Sequence, residues 1–213
     1  MPSPDRKISE STVRRLSAYL RSLEALEASG AEMASSGELA RRAGTTAPQV
    51  RKDLSTFGSF GKRGLGYPVV PLIGSLEAIL GLTREWRVAL LGAGRVGAAL
   101  HTYPFFRERG FRIVAIFDND PEKVGLRWDD TTIRHIDELE SVLAGEAVEI
   151  AILTVPAAPA PALADRVVRA GVGAILNFAP ARLELPPHVV VNEVNLAMEL
   201  ELLSFALTRS EPR

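Results

Sequence analysis

Gly92-Ala93-Gly94-Arg95-Val96-Gly97 sets three glycines at the spacing G-x-G-x-x-G. Such spacing lets a chain turn tightly, lets backbone amides approach a pyrophosphate, and lets a helix lie close on a strand. Asp118 follows 21 positions after Gly97, the distance at which a carboxylate hydrogen-bonds a ribose diol. An acid there disfavours a 2′-phosphate, so NAD(H) is expected over NADP(H). A second group of residues is basic. Between positions 41 and 66 stand Arg41, Arg42, Arg51, Lys52, Lys62 and Arg63 against one acid, Asp53. A basic patch on an otherwise acidic chain suits a polyanion.

The elements that must position these residues can be read on either side. Val88–Leu91 is an apolar run before the glycines, and Ile113–Phe117 is a second one before Asp118. The layout is strand, glycine turn, helix (94–106), strand, acid, and the helix N-terminus favours phosphate. Glu149–Val155, 171–178 and 189–194 read as further strands, with a helix over 161–170. Alternating strands and helices imply a mostly parallel sheet. Ligands bind beyond the carboxyl ends of such strands, which places Gly92–Gly97, Asp118, Pro156 and Phe178-Ala179-Pro180 around one crevice.

The basic residues fall on a different pattern. Thr12–Ala28 carries Val13, Leu16, Leu20 and Leu23 at helical spacing. Ser35-Ser36-Gly37-Glu38 is a capping box opening a short helix, and Thr46-Ala47-Pro48-Gln49 opens another that runs to Phe57. Two short helices around Gly44 make a helix-turn-helix. On the second helix Val50, Leu54 and Phe57 share one face, leaving Lys52 opposite, flanked by Arg51, Ser55 and Thr56. That exposed face suits phosphates and guanine edges, with Gln49 near the end that approaches bases. Asp53 lies toward the packed side and is expected to orient an Arg or backbone group rather than touch DNA. Glycines 58, 61, 64 and 66 around Lys62 and Arg63 read as a β-hairpin wing with a basic tip. Ser36, Gln49, Arg51, Lys52, Ser55, Lys62 and Arg63 are the candidate DNA contacts. Pro68 and Pro71 are expected to bound this region, with a last helix over 72–82.

The fold class is therefore α/β: a winged helix-turn-helix over 1–84, a Rossmann-type parallel-sheet domain over 85–194, and a terminal helix over 195–213. The terminal helix carries Leu196, Met198, Leu200, Leu202, Leu203, Phe205 and Leu207 almost all round. Burial on several sides is most readily met by a partner subunit, with core packing within one subunit as the alternative.

Composition narrows the class further. The chain has 213 residues, 46% hydrophobic and 24% charged, with a net charge of −1. Up to Arg87 there are 13 basic and 9 acidic residues, and beyond it 12 and 17. With no cysteine, disulfides, thiolate metal sites and thiol redox switches are excluded. No apolar run reaches membrane-span length and no secretory h-region is visible, so a cytoplasmic location is expected.

Three other readings compete with this one. An NAD-dependent oxidoreductase needs an acid/base beside the nicotinamide. The chain offers only His101, His135 and His188, none with an obvious carboxylate partner in a substrate pocket. No catalytic residue and no metal ligand are assigned. A regulator sensing another nucleotide, such as coenzyme A, is opposed by Asp118, which favours an unphosphorylated ribose. A Rossmann interaction module binding RNA or protein is opposed by the helix-turn-helix with its wing.

The chain resembles the Rex family of redox-sensing transcriptional repressors along nearly its whole length. The resemblance rests on Gln49-Val-Arg-Lys-Asp-Leu54 with Phe57-Gly58, on Gly61-Lys-Arg-Gly-Leu-Gly-Tyr67, and on Ile79-Leu-Gly-Leu82. It extends through Gly92–Gly97, Phe117-Asp118 with Asp120-Pro-Glu-Lys-Val-Gly125, Thr154-Val-Pro156 and Ile175-Leu-Asn-Phe-Ala-Pro180. It implies a homodimer on an inverted-repeat operator, a swapped C-terminal helix, and release of DNA when NADH closes the dimer. It also implies that Ala93, Arg95 and Val96 join the glycines, Asp118 and Pro156 in holding NAD(H). Tyr103 would lie near the nicotinamide. Family members often carry an Asp at the start of the swapped helix, facing that Tyr. This chain has Asn195, which lacks the charge that favours the cationic ring of NAD⁺.

Overall fold

The structure, a computed structural model, describes residues 8–62 and 64–210. The chain divides into two compact units, Met1–Arg84 and Glu85–Arg213.

The first unit is built on α1 (Glu10–Ala28), which starts where the Ser9 hydroxyl accepts the Thr12 N–H. Its buried stripe is Leu16, Tyr19, Leu20, Leu23 and Leu26. The stripe begins one turn later than the sequence suggests: Val13 is exposed, and Tyr19 fills the face. After β1 (Met33–Ala34) come α2 (Ser36–Arg42) and α3 (Ala47–Ser55), capped by Ser35 and Thr46 as their sequences require. Val50 and Leu54 face inward, and Phe57 packs half-buried on the same core. Next is β2 (Tyr67–Pro68), antiparallel to β1.

Then α4 (Val69–Leu80) completes the unit, burying Val69, Leu72, Ile73 and Leu76 in the same core as the α1 stripe. Pro68 and Pro71 thus do not bound the domain. Pro71 sits in the first turn of α4, where backbone N–H groups have no intrahelical acceptor to lose. The expected wing hairpin is also reduced. Between α3 and β2 the only antiparallel pairing among the described residues is a bridge between Lys62 and Gly66. Glycine-rich backbone has too few side chains to hold a longer ladder.

One buried acid ties α3 to α1. Asp53 is 3% exposed. Its carboxylate accepts from Arg15 Nε at 2.6 Å and Nη2 at 2.9 Å, from the Tyr19 hydroxyl at 2.9 Å, and from Gln49 Nε2 at 2.7 Å. Burial pushes its pKa up, but the hydrogen bonds from Arg15, Gln49 and Tyr19 outweigh burial and hold it below the usual carboxylate value. Burial and the same carboxylate push the Tyr19 hydroxyl up to about 12.

The second unit is a seven-stranded sheet in the order β5-β6-β4-β3-β7-β8-β9. These are β3 (Trp86–Leu91), β4 (Phe111–Asp118), β5 (Arg127–Trp128), β6 (Thr131–His135), β7 (Ile150–Leu153), β8 (Ala174–Asn177) and β9 (Val190–Glu193). Every neighbouring pair is parallel except β5 with β6. The chain begins at the centre with β3, grows outward through β4 and β6, then crosses back to β7. A crevice opens at such a switch point, past the carboxyl ends of the strands. Crossovers run through α5 (Arg95–His101), α6 (Pro104–Glu108), α7 (Leu139–Gly145) and α8 (Ala160–Arg169).

The single helix expected over 94–106 is two. Tyr103 precedes Pro104 and takes the extended conformation that proline favours in the residue before it, so α5 stops and α6 starts anew. The strands β5 and β6, and α7 after them, are additional to the elements that the sequence pattern predicts.

The terminal α9 (Leu196–Ser210) finds no cover within its own unit. Leu196, Met198, Leu200, Leu202, Leu203, Phe205 and Leu207 are all exposed. Core packing within one subunit is therefore not what its apolar residues serve.

The Asp53 hub makes a testable demand. Asp53→Ala strands three donors, one of them charged, and is expected to destabilise the chain by about 2 kcal/mol, read as a lowered urea midpoint. Because the folded-state pKa is depressed, this stabilisation is present above the ordinary carboxylate range. It is lost as pH falls below about 4 and through the folded value. The parent should lose stability more steeply in that window than Asp53→Asn does.

Candidate functional site

In the second unit a cavity of about 890 Å³ lies beyond the sheet's carboxyl edge, within the range of a cofactor pocket. Gly92, Gly94, Val96, Asp118 and Pro156 all line it. The glycines there have separable reasons. A Cβ on Gly92 would stand 2.7 Å from the Thr154 carbonyl oxygen, at a φ of +102°. One on Gly97 would stand 2.1 Å from the Gly92 carbonyl oxygen. Protein packing therefore forces both to be glycine. A Cβ on Gly94 would meet nothing within 4 Å. Nothing in the unit excludes a side chain there, so the open space faces the cavity and suits a ligand that approaches the backbone closely.

Asp118 braces this turn. It is 9% exposed. Its Oδ2 accepts from the Ala93 N–H at 2.7 Å and from Lys123 Nζ at 3.3 Å, and its Oδ1 from the Asp120 N–H at 2.9 Å. So Asp118 itself holds the turn after β4, while Asp120 does the same one step on by accepting the Glu122 N–H. Lys123 also reaches Asp120 at 3.2 Å, and the Asp120 carboxyl is held low by the Glu122 amide and by Lys123. On the other strand the Thr154 hydroxyl donates within reach of the carbonyl oxygens of Leu91 and Gly92. Asn177, 1% exposed, accepts the Ala179 N–H and donates to the Ala181 carbonyl, fixing the Phe178 loop.

The other sequence candidates fall nearby or apart. Ala93 is buried in the turn and Arg95 is exposed at the start of α5. Tyr103 lies past the far end of α5, its ring tilted against Phe105 and edge-on to Phe106, and lines a separate cavity of about 560 Å³ with His101. Asn195 caps α9, its Oδ1 accepting from the Ala197 and Met198 N–H groups, a task Asn and Asp perform equally. His101 and His135 do have carboxylate neighbours, Asp129 at 3.1 Å and Asp137 at 3.2 Å. The first pair joins residues 28 positions apart and the second is local, and neither histidine lines the glycine-turn cavity. Lys123, Ile136, Leu163 and Arg166 line it without having been singled out. Only Lys123 had a local signal, five residues after the acid.

In the first unit, Arg51 Nη1 donates to the Ser36 hydroxyl at 3.0 Å. Ser36, Arg51, Ser55 and Lys62 line one groove of about 660 Å³ between α2, α3 and the glycine-rich turn. Lys52 is exposed on α3 outside that groove. Gln49 is half-buried, its amide drawn inward by Asp53. Asp53 orients Arg15 and Gln49, as its place on the packed side suggested. Arg63 lies outside the described residues. Among the described residues no group of His, Asp and Glu could hold a metal ion, and no helix is long and apolar enough to cross a membrane.

A helix-turn-helix unit with a basic groove, joined to a dinucleotide-fold unit with an open glycine turn, defines a nucleotide-responsive DNA-binding regulator. Residues 7–55 match the family model "Putative DNA-binding protein N-terminus", and residues 83–181 match "CoA binding domain". The redox-sensing transcriptional repressor Rex of Carboxydothermus hydrogenoformans is 48% identical over 95% of this chain and 98% of its own. A solved repressor, RSP in complex with β-NAD⁺ and operator DNA, is 38% identical, covering 96% of this chain and 94% of its own with a TM-score of 0.91. RSP in complex with β-NADH is 36% identical over 96% of each chain, with a TM-score of 0.88. The chain belongs to the Rex family of redox-sensing transcriptional repressors. That membership sets the dehydrogenase reading aside.

The glycine turn yields a paired prediction. Gly97→Ala must push the turn apart and should lower the melting midpoint by several degrees. Gly94→Ala has room within the protein, so its melting midpoint should match the parent. Calorimetry should nevertheless find NADH binding weakened at least tenfold, because the new methyl occupies the ligand's space.

Proposed function

We propose that this chain represses transcription as a homodimer on two-fold-symmetric operator DNA and releases it when NADH enters the glycine-turn cavity. The observation that carries the reading is the open face of Gly94 beside Asp118, in a chain whose other unit presents Arg51, Lys52 and Lys62 outward. Likeness to a repressor captured with NAD⁺ and operator, and separately with NADH, supports both halves. Asp118 receives the adenosine ribose diol, while the Gly92–Gly97 turn and Pro156 flank the pyrophosphate and the nicotinamide side. This favours NAD(H) over coenzyme A, whose phosphorylated ribose would meet the carboxylates of Asp118 and Asp120. NADH, when bound, supplies only binding energy. It acts through its preference for the released arrangement, and DNA and NADH must weaken each other by the same factor.

On the DNA side, Arg51 with Ser36, Ser55 and Lys62 grips backbone phosphate, and Lys52 reaches base edges in the major groove. Gln49 serves from the same helix, joined by Arg63, which follows Lys62 in the sequence. Operator affinity should fall with salt as phosphate contacts are displaced. The partner subunit covers α9, whose apolar residues leave water only in that way, and Tyr103 contributes at the nicotinamide end. A repressor of this kind works where the chromosome lies, in the cytoplasm of a bacterial cell.

The test is fluorescence anisotropy of a labelled symmetric duplex at fixed salt, repeated with NADH, NAD⁺, NADPH and coenzyme A. Specific binding reversed by NADH, and much less by the others, is expected. Binding indifferent to every nucleotide would overturn the sensing role. Lys52→Ala should weaken the operator complex about tenfold to a hundredfold with NADH affinity unchanged. Asp118→Ala should do the reverse, and an unaltered NADH response would show its assigned role to be wrong. Light scattering should give twice the 23.0 kDa chain mass, and Leu203→Glu should lower the fraction of dimer.

A further inference from the structure

The glycine-turn cavity continues past Asp118 to an end that neither the sequence pattern nor the family motifs describe. The strand order gives its direction. The turn lies at the end of β3, Asp118 at the end of β4, and Ile136 just beyond the end of β6, the next strand outward. A dinucleotide with pyrophosphate at the turn and ribose at Asp118 sends its base toward Ile136. There Leu163 and Arg166 of α8 close the cavity from the helix side.

Arg166 is held unusually firmly for a side chain on a cavity wall. Its Nε and Nη2 donate to the two oxygens of Glu140, each at 2.7 Å. Its Nη2 also donates to the Ile136 carbonyl at 2.9 Å. A forked pair plus a third bond fixes the guanidinium plane. The Arg166 guanidinium in turn holds the Glu140 carboxyl down to about 2, so the clamp persists across the physiological range. Nη1 has no partner in the protein among the described residues. The cavity therefore ends in a fixed planar cation with two N–H groups to spare, beside the apolar side chains of Ile136 and Leu163.

Such a wall suits one kind of base. A planar cation is attracted to a large aromatic face, and its spare donors match the ring nitrogens of a purine. We propose that Arg166, locked by Glu140, specifies the adenine ring of the bound dinucleotide, stacking on it or donating to it through Nη1. A single-ring base offers a smaller face and falls short of the wall. This inference rests on the proposed reading of the cavity as the NAD(H) site.

The experiment compares reduced nicotinamide adenine dinucleotide with its cytosine analogue by calorimetry on the full-length protein. The parent should prefer the adenine form by about tenfold. Arg166→Leu should reduce that preference to about twofold or less, and Arg166→Lys, which keeps the charge but not the plane, should lose most of it. Glu140→Gln, which loosens the clamp, should fall between. A preference unchanged in Arg166→Leu and Arg166→Lys would overturn the assignment, even if both ligands bound more weakly, because a purely structural role moves both affinities together. Failure of the parent to bind either dinucleotide would overturn the cavity reading itself. Binding by the parent with no adenine preference would overturn only the role of Arg166.

Discussion

The closeness of α5 to the end of β3 is the contact on which the nucleotide-binding unit depends. At Gly97 the helix runs so near the Gly92 carbonyl that even a methyl group has no place. That proximity sets the angle at which the turn leaves the sheet. The Thr154 hydroxyl just past β7 and the Asp118 carboxylate at the end of β4 then hold the turn from either side. Three neighbouring strands thus meet on six residues of backbone, and the cavity takes its shape from that meeting. The carboxylate assigned to the ribose is the one that fixes the Ala93 amide, so ligand site and fold share a group.

The helical unit has a comparable centre in Asp53. There the constraint is electrostatic rather than steric. A buried carboxylate costs free energy unless its lone pairs are filled, and Arg15, Tyr19 and Gln49 fill them. In doing so they fasten α3 to α1, so the outward face of α3 is set by an inward-facing acid. Gln49 links the two roles, because its amide belongs to the hub while its position belongs to the exposed end of the helix.

Much of this was legible in the sequence. Helices α1, α2 and α3 announce themselves by apolar spacing and by Ser35 and Thr46 caps, and the inward turn of Asp53 follows from its angle relative to Val50 and Leu54. The glycine turn and its acid are readable because backbone geometry there permits few residue types. What escaped has physical causes. The strand β6 reads Thr-Thr-Ile-Arg-His, which lies near the sheet's edge and has one fully buried apolar residue to signal it. The break between α5 and α6 turns on a single proline. The clamp on Arg166 joins residues 26 positions apart on two helices, and nothing local in either helix points to the other. The wing is shorter than its glycine density suggests, closing among the described residues on the Lys62–Gly66 bridge, since glycine density marks turns more reliably than it marks paired strands.

The exposed apolar α9 has one further consequence. If a second copy of the chain covers its uncovered leucine, methionine and phenylalanine, as proposed, then stability is tied to the chain's own abundance, because whatever covers that helix enters the folding equilibrium. Dilution of that dimer would then be destabilising in its own right. In the proposed dimer, the amount of protein present then sets how much of it is assembled, before any nucleotide or operator is bound.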